Sequence, residues 1–206
     1  MTYEFTNDWF AAHAKVVWDY IVPQVGISAA LEVGSYEGAS ACYLIDTLAK
    51  DRPIELHCID TWHGGIEHAD SNTDMTAVER RFQDNTKRAI AAAAHPVNLT
   101  VHRGASDSML AKLLVEGRRN SFDFIYIDGS HMADDVLCDA VLAFRLLKVG
   151  GTIAFDDYLW FETLPEGKDP LRCPKTAIDA FVNLHFRKLD VLPAPLMQLF
   201  ATKLSD

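Results

Sequence analysis

Residues 122–158 read FDFIYIDGSHMADDVLCDAVLAFRLLKVGGTIAFDDY, and the reading of this stretch decides the class of fold. Phe122–Ile127 and Thr152–Phe155 are short apolar runs rich in aromatic and β-branched residues, the pattern of strands buried on both faces. Between them Met132, Val136, Ala140, Ala143, Phe144 and Leu147 recur at helical spacing, and Gly150-Gly151 supplies a turn. Strand, helix and strand in that order form a right-handed crossover, which leaves the two strands parallel. Asp128 ends the first strand, Asp156 and Asp157 end the second, and His131 opens the helix. If the strands are neighbours, three carboxylates and an imidazole meet at the carboxyl edge of one sheet. That is the edge at which open α/β sheets bind ligands.

The same alternation extends toward the N-terminus. Ala29–Val33 reads as a strand running into Glu32-Val-Gly-Ser-Tyr-Glu-Gly-Ala-Ser40, where Gly34 and Gly38 permit a tight turn and close backbone approach. A helix over 39–50 and a strand over Ile54–Asp60 follow. Asp60 stands at the tip of that strand, about 25 residues past the first glycine, a position suited to accepting hydrogen bonds from ribose hydroxyls. Thr61–Asp74 has no period and contains His63 and His68; it reads as a mobile loop over the site. A helix over Met75–Ala94, a strand over Asn98–His102 and a helix over Asp107–Val115 complete the first half. After a proline-rich loop come a helix over Lys175–Phe186 and strands over Leu189–Leu192 and Leu196–Thr202. The Pro193-Ala-Pro195 break is too short for a crossover and favours antiparallel pairing. Residues 1–26 have a helical pattern closed by Pro23 and stand outside the alternation. The expected fold is α/β: a Rossmann-like, seven-stranded, mostly parallel sheet with helices on both faces and a reversed last strand. One domain over 1–206, with 1–26 as a helical addition, is expected from the length.

Lys and Arg number 19 against 29 Asp and Glu, so no cationic excess exists to displace counterions from a phosphate backbone, and no nucleic-acid partner is expected. No apolar run approaches the roughly 18 residues of a membrane span, and MTYEFTNDWF lacks the pattern of a signal peptide. Cys42, Cys58, Cys138 and Cys173 form no CxxC pair; three of them fall within expected core elements and read as small buried hydrophobes, a usage that suits a reducing compartment. A cytoplasmic location without membrane contact is expected, and a homo-oligomer is compatible with the sequence.

The first strand–helix turn separates the functions that this fold can host. A dinucleotide-binding turn needs a second glycine beside the pyrophosphate, and Tyr36 occupies that position. The phosphate-binding G-x-x-x-x-G-K-[ST] is absent too. The pattern resembles class I S-adenosylmethionine-dependent methyltransferases, and within them the small O-methyltransferases of the macrocin and catechol O-methyltransferase type. LEVGSYEGAS, IDTWHGG, RGAS and IDGSH–helix–KVGGTIAFDDY carry the resemblance, in order, from Leu31 to Tyr158. Its turn is ExGxxxG, where many methyltransferases have D/ExGxGxG.

The resemblance implies roles for particular residues. Glu32, Gly34, Ser35 and Gly38 would hold the methionine end of S-adenosylmethionine, and Asp60 the ribose. Thr61 and Trp62 would lie beside the adenosine, with Ala105 and Ser106 flanking the adenine. Asp128 would border the cofactor and, with Asp156 and Asp157, match the divalent-metal positions of the metal-dependent members. His131 would match the general base of the sugar-type members. The chemistry of these residue types agrees. Three carboxylates suit Mg²⁺ or Mn²⁺, a metal lowers the pKa of a bound hydroxyl, and a nearby imidazole can take its proton at neutral pH. The expected activity is methyl transfer to a hydroxyl of a small molecule, such as a sugar or vicinal diol. The alternatives are a nucleotide-dependent oxidoreductase, which Tyr36 opposes, and a non-catalytic S-adenosylmethionine-binding protein. Asp156 and Asp157 are consecutive, so strand alternation points them to opposite faces unless the chain bends there.

Overall fold

The computed structural model describes residues 2–65, 73–195 and 197–206. Its strands are β1 (Ala29–Val33), β2 (Ile54–Asp60), β3 (Val97–Arg103), β4 (Phe122–Ile127), β5 (Leu147–Phe155), β6 (Leu189–Val191) and β7 (Leu199–Lys203). They form one sheet in the order β3-β2-β1-β4-β5-β7-β6. β1 to β5 pair in parallel, and β7 runs antiparallel to both β5 and β6. The strand order reverses between β1 and β4. The connections leaving their carboxyl ends therefore turn to opposite faces of the sheet and open a crevice, the switch point at which such sheets take ligands.

Two apolar cores lie on the two faces, divided by strand alternation. In β4, Phe124 and Tyr126 enter one core while Ile125 and Ile127 enter the other. The first core is covered by α1 (Lys15–Ile21), α2 (Ala39–Leu48) and α3 (Met75–Ala92). The second is covered by α4 (Ser106–Val115), α5 (Ala133–Leu146) and α6 (Pro174–His185). Phe82, Phe155 and Phe181 are among the fully buried side chains, each worth about 1.5–3 kcal/mol of burial. Local chemistry sets the helix starts. The Asp74 side chain accepts from the Ala77 amide at the head of α3, and Pro174 opens α6 where its missing N–H costs nothing.

Three boundaries differ from the expectation. The helical expectation for 1–26 holds only from Phe10, through a π-helical turn (Phe10–Ala14) into α1. Residues 2–8 are irregular, and their apolar side chains, Tyr3 and Phe5, recur at a spacing of two rather than 3.6. Gly150-Gly151 lies inside β5, where the pairing register with β4 shifts between Phe122 and Phe124. The glycines thus make an irregularity within the strand, which begins at Leu147. The last strand begins at Leu199; Leu196, His68 and the middle of the loop after β2 lie outside the described residues.

The N-terminal segment is tied to the site. The Trp18 indole is fully buried against Phe124 and Tyr126, with ring centroids 5.3 and 4.7 Å away. The Thr6 amide and hydroxyl donate to the Glu37 carboxylate at 2.7 and 2.8 Å, and Arg81 donates to the same carboxylate at 2.5 Å. Glu37 is 2% exposed and belongs to the turn after β1, so residues 2–9 strap across that turn.

Candidate active site

Gly34 and Asp60 build the floor of the crevice. Gly34 adopts φ +84°, and a Cβ there would sit 1.9 Å from the Asp128 carbonyl oxygen. Glycine is required because the ends of β1 and β4 touch at this point. The turn it opens is held by Asp60, whose Oδ2 accepts from the Ser35 and Tyr36 amides at 2.8 and 2.9 Å while Oδ1 accepts from the Trp62 amide at 2.7 Å. A carboxylate has about four acceptor positions, so Asp60 keeps one for a further donor. Glu32 lies beneath the turn, fully buried, and accepts from the Ser35 and Ser40 hydroxyls. Burial raises its carboxyl to about 6, against the lowering effect of those two hydroxyls.

The acidic cluster forms at the other side of the crevice. Oxygens of Asp128, Asp156 and Asp157 lie within 4.8 Å of one another. Asp157 reaches the cluster because its backbone is left-handed, φ +54°. The strand ends at Phe155, and this bend cancels the alternation that would separate the consecutive aspartates. The Tyr126 hydroxyl contacts Asp128 Oδ2 at 3.0 Å and also Asp156 Oδ2. Asp156 Oδ1 accepts from Gln198 Nε2 at 3.0 Å, and Gln198 Oε1 accepts from the Trp18 indole at 3.1 Å. His131 Nε2 is 3.0 Å from Asp157 Oδ2, and its ring lies 4.1 Å from that of Trp160. Burial, then the charges of Asp156 and Asp157, drive the Asp128 carboxyl well above the usual range. Burial and the Asp157 charge raise Asp156. The triad is thus an acidic cluster with too few positive neighbours, and hard oxygen donors that close fit a divalent cation.

One cleft of about 1220 Å³ joins these parts, large enough for a nucleoside-sized molecule and a small second one side by side. Gly34, Ser35, Asp60, Thr61, Ala105, Ser106, Asp128, His131, Asp156 and Asp157 all line it. Glu32, Gly38 and Trp62 are not among its lining residues. Trp62 is 3% exposed, packs on Phe82 and donates its indole N–H to the Tyr36 carbonyl; its side chain supports the turn from below. Gly38, at φ +82°, begins α2. Trp9, Phe10 and His13 from the N-terminal segment also line the cleft.

The middle of the chain matches known proteins. Residues 31–158 match the family model described as a methyltransferase domain. This chain belongs to that family. The caffeoyl-CoA O-methyltransferase of Populus kitakamiensis is 26% identical over 159 residues, 75% of this chain and 59% of that protein. The probable caffeoyl-CoA O-methyltransferase 3 of Dictyostelium discoideum is 35% identical over 88 residues, 39% of this chain and 34% of that protein. The chain thus spans less than two thirds of the length of these relatives. Among solved structures, the O-methyltransferase of Bacillus cereus in complex with SAH has a TM-score of 0.61 at 17% identity, covering 98% of this chain and 84% of that one. The O-methyltransferase TomG of Streptomyces achromogenes, in complex with SAM, has a TM-score of 0.64 at 16% identity, covering 95% and 81%. Such likeness establishes the methyltransferase fold.

Asp139, on α5, also faces the cleft, although no motif in the sequence marks it. It is 1% exposed, lines the cleft, and neither carboxylate oxygen has a hydrogen-bond partner. Burial lifts its carboxyl to about 7, which the nearby Ser106 hydroxyl offsets only in part. An acid raised on folding contributes most stability below its unfolded pKa, and that contribution is lost as pH rises through the folded value. The native state should therefore weaken between pH about 4 and about 7, with an upper bound of about 4 kcal/mol from this group. Asp139→Asn removes the effect. Denaturant unfolding should show the variant gaining on the wild type by at least about 1 kcal/mol from pH 5 to pH 8, and parallel pH profiles would contradict the assignment.

Proposed function

We propose that the protein transfers a methyl group from S-adenosylmethionine to a hydroxyl of a small molecule, assisted by a divalent cation held by Asp128, Asp156 and Asp157. The observation that carries this reading is the convergence of the three carboxylates within 4.8 Å, in the same cleft as the Gly34 turn and Asp60. The family match, the SAM and SAH complexes of similar folds and the names of the curated relatives support it.

Each residue then has a chemical task. Asp60 accepts a ribose hydroxyl through its remaining acceptor position, and the Gly34 turn gives the methionine end close access to backbone. Ala105 and Ser106 flank the adenine. Because the Gly34 turn and the triad line one cleft, a cofactor held by the turn would present its methyl to an acceptor oxygen at the triad for in-line displacement. When bound, Mg²⁺ or Mn²⁺ supplies Lewis-acid polarisation of the acceptor hydroxyl. Tyr126 and Gln198 hold the Asp128 and Asp156 carboxylates in orientation. His131, steadied by Asp157 and Trp160, accepts the hydroxyl proton as the C–O bond forms and the C–S bond breaks. S-adenosylhomocysteine leaves as the neutral thioether.

The cofactor part is tested by calorimetry with S-adenosylhomocysteine. Asp60→Ala removes the ribose contact and also the clamp on the Ser35 and Tyr36 amides, so affinity should fall by at least roughly 1–3 kcal/mol. A folded variant with unchanged affinity would remove Asp60 from the site. A folded wild type that takes NADH and ignores S-adenosylhomocysteine would revive the oxidoreductase reading.

A further inference from the structure

The cleft has an uneven charge. Asp60, Asp107, Asp135, Glu162 and the triad all face it, whereas Arg172 is the only lysine or arginine among its described lining residues. Arg172 does not stand alone: its guanidinium is ion-paired with the Glu162 carboxylate, and both side chains are about three-quarters covered. The segments that supply the rest of the lining add no cation. Residues 2–14 contain no lysine or arginine, and neither do the described residues 61–65 and 73–74. Lys168, the nearest other cation in the 159–174 loop, lies over the Phe161 ring at 4.7 Å and is not a lining residue. The lining also includes the aromatic and apolar side chains of Phe5, Trp9, Phe10, Trp160 and Met197, of which Trp160 packs on His131 beside the triad.

Phosphate and carboxylate groups are recognised by unpaired arginines, by lysines or by helix N-termini. An anionic acceptor here would meet carboxylates and one guanidinium already neutralised by Glu162. With the triad holding Mg²⁺ and Asp60 the ribose, a cation would still meet Asp107, Asp135 and the faces of aromatic rings, both favourable. Coulomb energies near a protein surface reach a few kcal/mol at contact distance, enough to separate such acceptors by tenfold or more.

We infer that the acceptor is a compact molecule with positive charge or none, and that the Glu162–Arg172 pair excludes anionic acceptors, coenzyme A thioesters included. This inference rests on the methyl-transfer reading of the same cleft. It parts this chain from the substrate for which its curated relatives are named. The Glu162 carboxylate is the specificity-determining group, because it cancels the one lysine or arginine among the described lining residues that could hold an acidic tail.

The test is calorimetric titration of the full chain, loaded with S-adenosylhomocysteine and Mg²⁺, with four probes. Three are catechols bearing an aminomethyl, a hydroxymethyl or a carboxymethyl group; the fourth is caffeoyl-CoA. The expected order is aminomethyl at or above hydroxymethyl, with carboxymethyl weaker by tenfold or more and caffeoyl-CoA weakest. In Glu162→Gln the gap between aminomethyl and carboxymethyl probes should shrink at least fivefold, with S-adenosylhomocysteine affinity unchanged. Caffeoyl-CoA binding as tightly as the neutral catechol would overturn the inference, as would a gap that Glu162→Gln leaves intact. If no probe binds while S-adenosylhomocysteine still does, the acceptor inference fails and the cofactor reading stands. If S-adenosylhomocysteine itself does not bind, the methyl-transfer reading fails first.

Discussion

Gly34→Ala is expected to lower stability by about 3 kcal/mol or more and to abolish binding of S-adenosylhomocysteine. Two effects combine. A left-handed backbone costs alanine about 1–2 kcal/mol, and the new methyl group would press on backbone that has nowhere to go. Its Cβ would lie 1.9 Å from the Asp128 carbonyl oxygen and 2.8 Å from the Gly129 Cα. Relief requires β1 and β4 to part at their carboxyl ends, which displaces Asp128 and the turn together. Gly117→Ala is the control. Gly117 has nearly the same φ, +83°, but an added Cβ would have nothing within 4 Å, so only the conformational cost of about 1–2 kcal/mol remains. Urea unfolding of both variants separates the two contributions. Equal losses would mean that the contact between β1 and β4 has no energetic weight.

Asp128→Asn should lose the divalent cation while keeping the cofactor. The variant removes one negative charge from a cluster that burial and mutual repulsion already strain. Stability should therefore hold or rise, whereas Mn²⁺ affinity should fall by more than the about 10–100-fold seen when only a supporting residue of a metal site is changed. Methyl transfer should drop by about 100-fold or more, because neither acceptor alignment nor hydroxyl polarisation survives. Titration of Mn²⁺ followed by electron paramagnetic resonance, beside calorimetry with S-adenosylhomocysteine, reads the two sites independently. Unchanged Mn²⁺ affinity in a folded Asp128→Asn would take the metal away from this triad.

The parts of the site legible from sequence are those fixed by local pattern. Strand ends at Asp60, Ile127 and Phe155 follow from apolar runs that stop at charges, and the reversed β7 follows from the brevity of Pro193-Ala-Pro195. What escaped depends on contacts between distant segments. Gln198 and Trp18 stand 180 residues apart and meet only because α1 packs on the sheet face that β7 shares. Thr6 and Glu37 meet in the same way, across 31 residues. Tyr126 could have been found, since strand alternation sets it on the same side as Asp128 two residues later. The resemblance puts Trp62 beside the adenosine; in the structure its backbone is left-handed, φ +49°, and its indole N–H donates to the Tyr36 carbonyl, a contact that its motif does not show. Asp157 is the opposite case. Alternation argued against it, and a single left-handed residue brought it into the cluster.

The central claim is methyl transfer that depends on a cation at the triad. It is tested most directly by incubating the full chain with methyl-labelled S-adenosylmethionine and an uncharged catechol, in Mg²⁺, in EDTA, and in EDTA followed by excess Mg²⁺. The account predicts a labelled methyl ether in the first and third reactions and none in the second. Equal labelling in all three would contradict it.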